Sequence, residues 1–139
     1  MNKNINKTNW KPEPLAWLAG LIEGEGYIAK GKVFLRVRMT DWDVVQRCHD
    51  TFKVGYLRGP VEGNEKKKHK PMYEWTITRR QDFYELLSVL YPKLGLRRQE
   101  RIRECFGKLG LRIPDQECEI KKPAKPPVFK CRKYTKKAS

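Results

Sequence analysis

Read from the N-terminal side, the first regular alternation of apolar and polar positions begins behind Pro12 and Pro14, residues that suit a first helical turn because they lack an N–H to lose. Leu15 to Glu23 keeps helical spacing, and Gly24 and Gly26 predict its end. The period then shortens to two. Tyr27 to Lys30, a turn at Gly31-Lys32, and Val33 to Met39 predict a β-hairpin. In its second strand Val33, Leu35, Val37 and Met39 alternate with Phe34, Arg36 and Arg38, giving one apolar face and one that carries two arginines. Thr40 or Asp41 can cap a second helix reaching about Phe52, through Val44, Val45, Cys48 and Phe52. Strands over Val54–Arg58 and Pro71–Thr78 follow, separated by a polar loop from Gly59 to Lys70. Within the last strand Tyr73, Trp75 and Ile77 are expected inward and Glu74, Thr76 and Thr78 outward. Asp82 to Leu90, ended by Pro92, and Leu96 to Leu109 close the chain as helices. The order α-β-β-α-β-β-α-α predicts an α+β fold, an antiparallel sheet with one face covered by helices.

Composition narrows the function. The 139 residues suffice for one core, and 31 Lys+Arg against 16 Asp+Glu give a formal net charge of +15. Apolar residues at 39% fit a folded chain, not a disordered one. No apolar run approaches the ~18 residues of a membrane span, and the polar start Met1-Asn2-Lys3-Asn4 is unlike a signal peptide. The expectation is an intracellular protein with no membrane partner, not secreted, whose partner is a polyanion. Residues 1–112 are expected to form the folded domain and 113–139 a basic Pro/Lys-rich tail; Lys121 to Ser139 holds eight basic residues and no acid. Cys48, Cys105, Cys118 and Cys131 have no metal-site or disulfide spacing, which fits incidental thiols in a reducing compartment.

The segment richest in chemistry is Leu18-Ala19-Gly20-Leu21-Ile22-Glu23-Gly24-Glu25-Gly26. Ala16, Gly20 and Gly24 recur every four residues, so they share a helical face with almost no side-chain bulk, against which another helix can approach closely. Glu23 and Glu25 stand where the helix ends, at the unfavourable pole of its macrodipole. A bound cation would account for acids there.

This segment resembles the LAGLIDADG motif of the homing endonucleases. Six of nine positions are identical, Glu23 and Glu25 replace Asp, and Gly24 stands where the consensus has Ala. The element order over roughly residues 10–112 is also that family's αββαββα order. The resemblance implies an antiparallel, saddle-shaped sheet covered by helices on one face. A single motif copy implies a homodimer, with Ala16, Gly20, Glu23 and Gly24 at the interface of paired motif helices. Two Glu25 carboxylates ~5 Å apart would repel by about 3 kcal/mol at an effective dielectric of 20, and divalent cations between them would reverse that sign.

By resemblance Glu25 is the metal ligand, with Gly24 beside it, and Mg²⁺ is the expected cofactor, Mn²⁺ a substitute. The implied reaction is metal-assisted hydrolysis of a DNA phosphodiester. Asp41 matches the position that orients water, though it also reads as a helix N-cap. The family places a basic residue, usually Lys, before the last helix; Arg97 matches it, or Arg98 if the register slips by one. Arginine cannot lose its proton, so it could stabilise charge but not act as general base.

Double-stranded DNA would lie along the exposed sheet face, a dimer covering about 18–20 base pairs at 3.4 Å per step. Arg36, Arg38 and Arg58 are the candidates for guanine edges, and Lys32, Phe34, Glu74 and Thr76 are further candidates for contact. Lys66, Lys67 and Lys68 suit phosphates. Two-fold symmetry implies a pseudo-palindromic site, as in intron homing. Two rivals remain: a sequence-specific DNA-binding regulator with weak or lost cleavage, and a maturase that binds intron RNA.

Overall fold

The computed structural model describes residues 10–61, 70–113 and 125–128. Among them the chain runs α1 (Pro12–Glu25), β1 (Gly26–Ile28), β2 (Leu35–Met39), α2 (Trp42–Phe52), β3 (Tyr56–Val61), β4 (Met72–Ile77), α3 (Arg80–Leu90), a short 3-10 helix (Tyr91–Lys93) and α4 (Leu96–Leu109). The strands form one four-stranded antiparallel sheet in the order β1-β2-β4-β3. The predicted α+β class and element order are therefore those of the protein.

One face of the sheet is the core. Ile28, Leu35, Val37, Trp75 and Ile77 lie in one buried cluster with Leu18 and Ile22 of α1, Val45, Cys48 and Phe52 of α2, Leu86 and Leu87 of α3, and Ile102 and Phe106 of α4. Trp75 is fully buried, and its indole N–H donates to the Val54 carbonyl at 2.8 Å. That bond removes the cost of burying an indole donor. Trp10 seals the end of α2, its ring edge-on to Phe52 at 5.7 Å and its N–H donating to the Phe52 carbonyl. Leu111 and Ile113 also pack against this core; most of the basic tail lies outside the described residues.

Strand bounds differ from the alternation pattern. The first strand ends at Ile28, and β2 begins at Leu35 instead of Val33. The Ala29 N–H donates to the Phe34 carbonyl, so the connection between them is wider than a two-residue turn. The third strand starts at Tyr56 instead of Val54. Lys53 (φ 55°) and Gly55 (φ 76°) both adopt left-handed backbone in the turn out of α2, which makes Val54 a turn residue. β3 then continues through Gly59 and Pro60 to Val61, with a register irregularity against β4. An edge strand tolerates proline because no ladder N–H is required on its outer side.

Candidate active site and nucleic-acid interface

α1 continues two residues past Glu23, so Gly24 and Glu25 belong to the helix and Gly26 is its C-cap, the Gly26 N–H donating to the Ile22 carbonyl. A Cβ on Gly26 would stand 2.8 Å from the Ile22 backbone, so only glycine fits this exit. No basic side chain lies in the last turn of α1. Its two acids are treated differently. The Glu23 carboxylate accepts the backbone N–H of Gly95, the N-cap of α4, which places it at the positive end of that helix. Arg98 adds a second tie, its Nη2 donating to the Glu23 carbonyl at 3.2 Å. Glu25 is exposed and has no hydrogen-bond or ion-pair partner among the described residues.

Between the two arginines the structure makes a distinction that the sequence left open. Arg97 is exposed, whereas Arg98 is half-buried and turned toward the end of the motif. Burial lowers the Arg98 pKa from its ordinary value, as does neighbouring Arg97, with Glu23 opposing. The Arg98 Nε is buried without a partner among the described residues. Asp41 occupies the N-cap position of α2, but its side chain makes no capping bond; its carbonyl accepts the N–H groups of Val44 and Val45. Its carboxylate is left exposed.

The face of α1 bearing small residues is open: Ala16, Gly20 and Gly24 are exposed, and a Cβ added at Gly20 or Gly24 would meet nothing within 4 Å among the described residues. Half-buried Trp17 and Leu21 flank the stripe, with the Arg47 guanidinium 4.1 Å from the Trp17 ring centre. Among the described residues no group of three or more His, Cys, Asp or Glu is arranged to hold a metal.

On the sheet face away from the helices, two cross-strand rows lie side by side. One pairs Tyr27 with Arg36, Arg36 with Thr76, and Thr76 with Tyr56; the other pairs Arg38 with Glu74 and Glu74 with Arg58. Arg36 has Tyr27 and Phe34 at 5.3 and 5.8 Å from its guanidinium carbon, and the Lys32 ammonium stands 5.2 Å from Phe34. Arg38 donates from Nε to Glu74 Oε1 at 2.6 Å and pairs with the same oxygen through Nη2. Arg58 is exposed. Glu74 and Thr76 are on this face but are only 3% and 2% exposed. β4 is an interior strand, and long side chains from both neighbours cover its short or central ones. Lys66, Lys67 and Lys68 lie outside the described residues. Sequence reasoning passed over Tyr27 and Tyr56, which are 45% and 47% exposed on the same face. For Tyr27 the signal was its place between inward-facing neighbours.

No protein-family model and no curated protein matches the chain. Solved structures do. The homing endonuclease I-CvuI, in complex with its target in the presence of 2 mM Ca, superposes with a TM-score of 0.51 at 21% identity. The chain has the homing-endonuclease fold. The match covers 65% of this chain and 62% of the I-CvuI chain, less than two-thirds of that protein's length. A second I-CvuI structure, with the I-CreI target and 2 mM Mg and its DNA not cleaved, gives 0.47 at 20% identity, with the same coverage.

Proposed function

We propose that the protein is a homodimeric, Mg²⁺-dependent, site-specific double-strand DNA endonuclease of the single-motif LAGLIDADG class. The observation that carries this reading is the unequal fate of the two motif acids. Glu23 is engaged by α4, while Glu25 stands exposed, without a partner among the described residues, at the negative pole of α1 and beside an open stripe of small residues. Among the described residues, nothing stands within 4 Å of a Cβ added at Gly20 or Gly24. Gly20 and Gly24 sit in a helix without positive φ or close neighbours, and each glycine costs a helix about 1 kcal/mol relative to alanine. A second copy packed at near-backbone distance would justify that cost and bring two Glu25 carboxylates together.

Glu25 and the Gly24 carbonyl would hold Mg²⁺, a hard cation that takes oxygen ligands. Bound there, Mg²⁺ would lower the pKa of a coordinated water and neutralise charge on the phosphate oxygens. Arg98 remains protonated and contributes fixed positive charge at the end of the motif. Asp41, free of a capping bond, can accept a hydrogen bond from water. Arg36, Arg38 and Arg58 supply a basic face for the duplex.

A DNA-binding regulator with weak cleavage is the second reading, and the observation that favours it is the arginine at position 98. It cannot take a proton from water as a lysine could. The RNA-binding reading rests on the tail, which lies largely outside the described residues. Glu25→Gln separates enzyme from regulator. It should abolish cutting while leaving DNA binding intact or tighter, since a repulsive charge is removed. Cleavage that persists in Glu25→Gln would contradict the assignment.

A further inference from the structure

The row Arg38–Glu74–Arg58 contains one carboxylate between two guanidinium groups, each on the residue directly opposite Glu74 in a neighbouring strand. Glu74 has a side chain 4% exposed, against 38% for Arg38. A carboxylate this buried must be paired, and the pairing geometry is specific. Both Nε and Nη2 of Arg38 meet the same oxygen, Oε1. The guanidinium has five N–H donors, and this contact uses its side-on edge. The end-on fork, Nη1 and the outer N–H of Nη2, has no acceptor among the described residues and is left for another acceptor pair. A guanine presents such a pair, O6 and N7, in the major groove.

We propose that Glu74 is a positioning residue that orients Arg38 so that its end-on fork reads one guanine in each half-site. This rests on the DNA-binding reading above. Glu74 is not itself a reader: its side chain is only 4% exposed, and its Oε1 is already engaged by Arg38. Fixing Arg38 in the free protein removes rotamer entropy that an unrestrained arginine would lose on binding. Arg36, held against aromatic rings instead of a carboxylate, has no such fixed fork.

The test is selection of bound duplexes from a randomised DNA library by the full chain in EDTA, so that binding is read without cleavage. The wild type should prefer guanine about tenfold or more at one position per half-site. Arg38→Ala should erase that preference. Glu74→Met should reduce it to about threefold or less at the same position, leave other positions unchanged, and add nothing further when combined with Arg38→Ala. Glu74→Gln, which can still accept one hydrogen bond, should fall between. An unchanged guanine preference in Glu74→Met overturns the inference, as does a loss spread evenly over all positions or a change confined to a position that Arg38→Ala leaves alone. Loss of a cytosine preference would make Glu74 a reader and also overturn it. If Glu74→Met fails to fold, Glu74→Gln decides alone on the same readout. A wild type that enriches no sequence defeats the DNA-binding reading and this inference together; enrichment that ignores Glu74 defeats only the inference.

Discussion

Arg97 and Arg98 are adjacent and identical in chemistry, but Arg97 is exposed and Arg98 half-buried. Only Arg98 reaches the α1 end, through the Glu23 carbonyl. If its charge stabilises the phosphate in the transition state, Arg98→Ala should lower kcat by about 10²-fold, and Arg97→Ala should leave it within about threefold. Equal losses, or a larger one at Arg97, would contradict this placement; single-turnover cleavage makes the comparison. The thiols give an independent check on the core. Burial pushes the Cys48 pKa from 9.0 up to about 12 and also raises that of Cys105, whose thiol donates to the Lys32 carbonyl. A thiol raised in this way favours folding fully below the unfolded value and loses that contribution as pH climbs toward the folded one. In a Cys118→Ser/Cys131→Ser variant, Cys48 and Cys105 should resist alkylation at pH 8 and react on unfolding, as read by mass spectrometry. Alkylation in the native state at the rate of a free thiol would contradict their burial.

Helix α1 carries glycines for two different reasons, and the sequence alone does not separate them. Gly26 is fixed by contact with Ile22, whereas Gly20 and Gly24 face open space. A larger side chain at Gly20 therefore has room within the protomer and improves helix propensity. Gly20→Leu should fold and melt cooperatively but elute as a monomer where the wild type elutes as a dimer. A wild type that is monomeric at micromolar concentration would contradict the paired-helix arrangement. Other elements differed in how plainly they could be read. α4 has the predicted bounds, Leu96–Leu109, because Gly95 and Gly110 mark both ends in local chemistry. β3 was misplaced because its course through Gly59 and Pro60 resembles a turn, and because Lys53 and Gly55 take left-handed backbone, with Gly55 close against the Thr76 carbonyl. The outward alternation of Glu74 and Thr76 was correct as to face. Their burial was not legible, since it depends on which strands flank β4. The tie from Glu23 to Gly95 spans 72 residues and has no local signal.

At the scale of the whole molecule, a net charge of +15 and a basic sheet face favour a polyanionic partner, and a single acidic motif is what the dimeric reading requires. The fold was legible because periodicity and glycine placement agreed along the chain. The candidate site could be drawn from the motif's own residues, but the contact of Arg98 with the Glu23 carbonyl depends on tertiary packing that no local pattern announces. The most direct test of the central claim is to incubate the purified chain with a randomised or genomic DNA library, with Mg²⁺ or with EDTA, and to sequence the ends produced. The account predicts discrete double-strand breaks at one near-palindromic site with Mg²⁺ and none with EDTA. Bound sequences that are never cut, or breaks that are indifferent to EDTA, would contradict it.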